Sequence, residues 1–111
     1  MKKTESIKLN YEFARVYKKG SHYKAKNLTL YVLDTNRQKP RLGITVSRKA
    51  YGRSVDRNRV RRLVRESFRI FEEDLKRNTD MVFVIKKNRE LPDFFEIKNE
   101  TEYLLKLSGL I

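Results

Sequence analysis

Ser54-Val55-Asp56-Arg57-Asn58-Arg59-Val60-Arg61-Arg62-Leu63-Val64-Arg65-Glu66-Ser67-Phe68-Arg69-Ile70-Phe71 carries two chemistries on one stretch of chain. On a helical wheel, Val60, Leu63, Val64, Phe68 and Phe71 fall within about 80° of one direction. Asn58, Arg61, Arg62, Arg65 and Arg69 gather on the opposite side, and Arg57 and Arg59 flank the apolar stripe near the first turns. The spacing predicts the strongest helix of the chain over 54–75, with one face on a sheet and the other facing a ligand or solvent. A helix face that only keeps a protein in solution mixes signs and places Lys and Glu four residues apart. Here Arg recurs instead, leaving like charges at 61/65 and 65/69, and its planar fork suits phosphate. That pattern favours a polyanionic partner over a merely solvated face.

Working outward, 42–47 (LGITVS) and 28–33 (LTLYVL) read as strands, with 36–40 as a polar hairpin connection between them. The continuous apolar run at 81–85 (MVFVI) predicts a central strand covered on both faces. Leu9, Phe13, Val16 and Tyr17 follow helical spacing, and Gly20 is placed to stop that first helix. A last helix is expected over 93–107 and an extra strand around 21–25. No internal repeat, low-complexity segment or linker interrupts the order, so residues 1–111 are expected to form one domain. The order α, β, β, α, β, α, with that extra strand, gives an α+β or α/β domain with helices on a small sheet.

Of 111 residues, 27 are Lys or Arg and 14 are Asp or Glu, a net charge of +13. Residues 1–69 hold 20 basic and 5 acidic residues, a net of +15; residues 70–111 hold 7 and 9, a net of −2. Between Arg48 and Arg69, nine basic residues face only Asp56 and Glu66. Charge this concentrated indicates a binding face. The absence of Cys excludes a disulfide scaffold and a Cys-ligated zinc site. Met1-Lys2-Lys3 resembles the start of a signal peptide, but no apolar run follows, and nothing approaches a membrane span. The expectation is a cytoplasmic, basic globular domain that does not engage membranes. Its oligomeric state is not set by these counts.

The chemistry available to the bare chain is thin. His22 is the only histidine, which excludes a two-histidine ribonuclease mechanism, and it reads as a surface residue. The carboxylates are scattered apart from Glu72-Glu73-Asp74, which point in different directions and suit solvent or Arg pairing better than a metal. No phosphate-cradling glycine loop is present. No catalytic residue, resident metal or cofactor is assigned.

The string around the helix is more specific than its composition. Val46-Ser47-Arg48-Lys49, Gly52, Arg57-Asn58-Arg59, Arg61-Arg62 and Leu63 together resemble the signature of the bacterial ribonuclease P protein subunit. Phe13 and Tyr17 ahead of Lys18-Lys19-Gly20 look like that family's first helix, Leu30-Tyr31 its early strand and Arg41-Leu42-Gly43 its next. Ser54 and Asn88 depart from the usual pattern, and Ser54 is expected to serve as a helix cap.

The resemblance implies an α+β fold, a small α/β sandwich with a mixed central sheet of about four strands and about three helices, whose topology is similar to that of a ribosomal-protein domain. It implies an RNA-binding subunit that assists removal of the 5′ leader from precursor tRNA. The chemistry would be carried by the ribonuclease P RNA, with magnesium held by that RNA. It assigns catalytic-RNA contacts to Arg48, Lys49, Arg53, Arg57, Asn58, Arg59, Arg61, Arg62 and Arg65. It assigns leader contacts to Phe13, Tyr17, Tyr31, Lys86 and Lys87. Aromatic faces beside cations suit single-stranded RNA, although Phe13 and Tyr17 four residues apart are also what a core stripe looks like. Tyr23 and Tyr51 are weaker candidates for stacking. The alternatives are a structural ribosomal or other structured-RNA-binding protein, and a helix-turn-helix DNA regulator. The regulator is disfavoured because a strand, not a helix, precedes the arginine helix.

Overall fold

The alternation of β-branched runs with amphipathic segments resolves into eight main elements in the computed structural model, which describes residues 3–87 and 90–111. Met1, Lys2 and Asn88 lie outside the described residues. The elements are β1 (Glu5–Ser6), α1 (Asn10–Lys19), β2 (Ser21–Lys24), β3 (Leu28–Asp34), β4 (Arg41–Val46), α2 (Ser54–Phe71), β5 (Thr79–Ile85) and α3 (Phe94–Leu107). A 3-10 turn, Glu72–Asp74, follows α2, so the helix expected to reach residue 75 tightens after Phe71.

Among the described residues the strands form one mixed sheet in the order β1-β4-β5-β3-β2. The fifth strand beyond the expected four is β1, two exposed residues parallel to β4 and too short to show any alternation. The segment at 36–40 is not a hairpin. β5 lies between β3 and β4, antiparallel to the first (Leu28↔Ile85 through Asp34↔Thr79) and parallel to the second (Arg41↔Asp80 through Val46↔Ile85). The connection therefore crosses the start of β5. There Asn78 Nδ2 donates to the carbonyls of Arg37 and Gln38 at 3.3 and 2.8 Å. The physical reason is burial: the apolar run of β5 loses most water when a strand flanks it on each side.

The period-two alternation of the strands splits the sheet into two faces. Leu28, Leu30, Val32, Leu42, Val46, Met81, Phe83 and Ile85 join Val60, Leu63, Val64, Phe68 and Phe71 of α2 and Ile97, Leu104 and Leu105 of α3 in the main core. Phe68 and Phe83 meet edge to face, centroids 6.5 Å apart. The opposite face holds a smaller cluster of Ile7, Val16 and Val82 beneath α1, edged by Phe13, Tyr31, Leu33 and Val84.

Local chemistry sets the helix ends. Glu12 Oε1 accepts the Leu9 amide at the start of α1. At its end Gly20 lies so close to β3 that a Cβ would stand 2.6 Å from the Val16 carbonyl oxygen and 2.7 Å from that of Val32. Asp93 Oδ1 caps α3 by accepting the Glu96 amide at 2.8 Å. Ser54 does not cap α2: Arg53 takes the N-cap position and no side chain supplies the bond.

Candidate nucleic-acid interface

The arginine helix presents the two faces its sequence predicts. Val60, Leu63, Val64, Phe68 and Phe71 are buried, while Asn58, Arg59, Arg62, Arg65 and Arg69 are exposed and Arg61 is half-buried. Arg59, Arg62, Arg65 and Arg69 meet no carboxylate among the described residues, so their charge is open to a ligand. The other cations differ. Arg53 pairs with Asp56 at 3.2 Å, and Arg61 Nη1 donates to Asn58 Oδ1 at 3.2 Å. Arg57 turns Nη1 to the carbonyls of Tyr51 and Gly52 at 2.9 and 2.8 Å, holding the turn ahead of α2. Arg48 and Lys49 extend the basic surface from the exposed turn after β4.

The second surface lies between α1 and the sheet face beneath it. Register aligns Gly43, Val82, Tyr31 and His22 in one row across β4, β5, β3 and β2, and Thr45, Val84, Thr29 and Lys24 in the next. Phe13 and Tyr17 descend onto these rows from α1. The Phe13 ring fills the space a side chain at Gly43 would need: a Cβ there would lie 2.9 Å from Cζ and closer still to Cε1. Tyr17 meets Tyr31 edge to face, centroids 5.0 Å apart, and its hydroxyl lies 3.2 Å from Thr45 Oγ1. Partial burial pushes the Tyr17 pKa above the ordinary tyrosine value, with the Thr45 bond acting in the opposite sense. The helix thus divides its apolar stripe: Val16 is wholly buried, Phe13 half-buried and Tyr17 40% exposed. Half-open aromatic surface is what a base can stack on.

The two expected lysines part company. Lys87 is exposed, whereas Lys86 Nζ donates to the Ala25 carbonyl at 2.7 Å and braces the β2–β3 turn. Tyr51 is buried in the main core with burial raising its pKa, and Tyr23 packs against that core, so neither offers a free ring. The acidic trio also differs from a solvated cluster. Glu72 is buried and accepts the Lys3 amide, while Glu73 pairs with Lys3 Nζ at 2.7 Å.

A group separated along the chain anchors the cleft. Arg41, at the start of β4, donates Nε and Nη2 to the two carboxylate oxygens of Asp80 at 2.9 and 2.7 Å, and Nη1 to Glu12 of α1. Arg15, one turn further along α1, reaches Asp80 at 3.5 Å. Asp80 is fully buried and the Arg41 side chain is 7% exposed. The Asp80 carboxylate, with Glu12, raises the Arg41 pKa further, and the Arg41 guanidinium holds the Glu12 carboxyl below its usual range despite burial. These bonds clip α1 to the sheet in a fixed register. Residues 12, 41 and 80 lie too far apart in sequence for spacing to reveal them, and His22 was equally hidden until register set it beside Tyr31.

The two surfaces meet. A recess of about 210 Å³ at the outer edge of β4 is lined by Ile7, Phe13 and Gly43 from the cleft side, by Ile44 from the main-core face and by Arg61 and Arg65 from α2. A family model described as Ribonuclease P matches residues 1–108. The chain belongs to the ribonuclease P protein family. It is 42% identical over 112 residues to the ribonuclease P protein component of Clostridium novyi, covering 99% of this chain and 98% of that one. With the corresponding protein of Clostridium botulinum it shares 39% identity over 109 residues, 97% of each chain. Its fold superposes on the RNase P protein of Staphylococcus aureus with a TM-score of 0.84, at 29% identity and 95% coverage of both chains. The RNase P protein of Thermotoga maritima gives 0.81 at 28% identity, covering 93% of this chain and 96% of that one.

Among the described residues of this family member, no cluster of three or more His, Asp or Glu side chains is arranged to hold a metal. None of its helices, over the same residues, is long and apolar enough to cross a membrane.

Proposed function

We propose that this chain is the protein subunit of ribonuclease P, working in the cytoplasm as one domain over residues 1–111. In this reading it assists removal of the 5′ leader of precursor tRNA. The observation that carries the proposal is the meeting of an unpaired arginine face and a half-open aromatic cleft at one recess. Arg59, Arg62 and Arg65 are free for the phosphates of the catalytic RNA, with Asn58 and Arg61 beside them and Arg48, Lys49 and Arg53 extending the surface. Arg57 contributes through the turn it holds, with its remaining nitrogens toward the RNA. Phosphate contacts position such a partner, while an Asn amide reaches a sugar or base edge. The cleft takes the single-stranded leader, which stacks against Phe13, Tyr17 and the Tyr31 row, with Lys87 near its backbone.

The protein supplies binding and orientation. Magnesium is assigned to the RNA: Asp80 and Glu12 are committed to Arg41, and among the described residues no three or more His, Asp or Glu side chains gather to hold an ion. Bond cleavage is assigned to no side chain of this protein. A structural RNA-binding role without processing would leave the aromatic cleft unexplained.

The test is reconstitution with the catalytic RNA, comparing precursor and mature tRNA. Tyr17→Ala should weaken precursor binding by about 5- to 150-fold, the equivalent of about 1–3 kcal/mol of base stacking, and leave mature tRNA binding nearly unchanged. Equal losses on both substrates would remove the leader assignment.

A further inference from the structure

Tyr31 stands between two other rings. Tyr17 meets it edge to face at 5.0 Å, and His22, its direct cross-strand partner, lies against it at 5.6 Å with ring planes 28° apart. Tyr31 is half-buried, whereas Tyr17 and His22 are exposed. The aromatic surface open to an incoming base therefore belongs to Tyr17 and His22, with Tyr31 as the support between them. His22 makes no hydrogen bond or ion pair within the described residues, which leaves its ring nitrogens available to a ligand.

Position along the sheet sets an order. Tyr17 is tied to Thr45 on β4, the strand whose outer edge carries the recess with Arg61 and Arg65. His22 lies on β2, at the opposite edge of the sheet. In the order β4-β5-β3-β2, Thr45 and His22 are three strand spacings apart, about 14 Å, and the Tyr17 and His22 rings, which both contact Tyr31, are no more than about 11 Å apart. If the arginine surface faces the catalytic RNA, the β4 end of the cleft is nearest the scissile bond and the β2 end is farthest.

We infer that His22 is a base-stacking residue for a leader nucleotide that lies farther from the cleavage site than the nucleotide on Tyr17. This rests on the leader-cleft reading above. The ligand is an unpaired nucleobase of single-stranded RNA, stacked on the imidazole, with a ring nitrogen able to bond the adjoining phosphate or base edge. The plainer role, a cross-strand pair that merely stiffens the sheet edge, contributes about 0.2–1 kcal/mol of stability. It predicts no discrimination between substrates.

The experiment uses the reconstituted holoenzyme and a series of precursor tRNAs with leaders shortened one nucleotide at a time, with mature tRNA as reference. His22→Ala should lower affinity for the full-length leader about fivefold or more and leave mature tRNA unaffected. As the leader shortens, this penalty should vanish at a length where the Tyr17→Ala penalty persists. His22→Phe should retain most of the affinity. Thermal melting of each variant separates leader binding from folding. No penalty for His22→Ala at any leader length, beside a selective Tyr17→Ala, would overturn the inference and leave the cleft standing. A His22 penalty that outlasts that of Tyr17 on short leaders would overturn the proposed order. A Tyr17→Ala that weakens precursor and mature tRNA alike would instead strike the leader reading itself.

Discussion

Replacing Asp80 by Ala would leave the Arg41 guanidinium, 7% exposed, without the carboxylate that accepts two of its hydrogen bonds. Removing one partner of a buried pair costs about 3–5 kcal/mol, because the remaining charge stays desolvated. Domain stabilities run to about 5–15 kcal/mol, so this is a large share of the total. At about 2.1 cal/mol/K per residue, unfolding this chain carries about 0.23 kcal/mol per degree, and the midpoint should fall by about 13–21 °C. Asp34→Ala is the matched control. It breaks an equally short pair with Arg77, 2.9 Å, whose side chains are 44% and 74% exposed. Exposed pairs contribute about 0.2–1 kcal/mol, so the control should shift the midpoint by no more than about 4 °C. Calorimetry or near-ultraviolet circular dichroism of the two variants checks the contrast. Equal shifts for Asp80→Ala and Asp34→Ala would refute the claim that Arg41 is held by a buried, desolvated clamp.

Three further outcomes follow from other parts of the molecule. Glu12 has its pKa lowered by Arg41, so its contribution is fully present above the unfolded value of 4.5 and fades as pH falls through the lower folded value. Glu12→Gln should flatten the acid limb of the stability curve below about pH 4.5, read from denaturation midpoints across pH. Gly43→Ala forces the Phe13 ring aside, which should cost about 1–3 kcal/mol of stability and weaken precursor binding more than mature tRNA binding. Arg65→Gln should reduce the slope of log affinity for the catalytic RNA against log salt by about 1; an unchanged slope would mean that Arg65 does not meet phosphate.

What was legible in the sequence was periodic. The stripe Val60, Leu63, Val64, Phe68 and Phe71 recurs at helical spacing and is buried as that spacing requires. The same wheel places the arginines outward. The apolar run of β5 announced a strand with neighbours on both sides, and α3 runs from Phe94 to Leu107, as the last helix expected over 93–107 requires. Pairing was harder to read. β3 and β4 are consecutive and separated by a short polar segment, which mimics a hairpin, but the burial demanded by β5 separates them. Individual side chains were hardest, because their roles depend on that pairing. Lys86 braces a turn, Arg57 holds another, and His22 gains a ring partner only once β2 and β3 are in register. Glu12, Arg41 and Asp80 converge from an α-helix and two strands, a meeting that no local pattern encodes.

The central place of β5 also has a consequence for how the protein comes into being. The strand that joins the two halves of the sheet is made late, after the arginine helix and after both strands it separates. Until residue 85 has been synthesised, β3 and β4 have no common partner, and neither the floor of the cleft nor the seat of α2 is complete. Closure depends on pairings distant in sequence, the slow kind. In the meantime the nascent chain exposes apolar strand edges that invite association with other copies. Residues 1–69 carry a net charge of +15, so incomplete chains repel one another through that interval. The charge that serves a polyanion in the finished protein therefore also guards the unfinished one against its own kind.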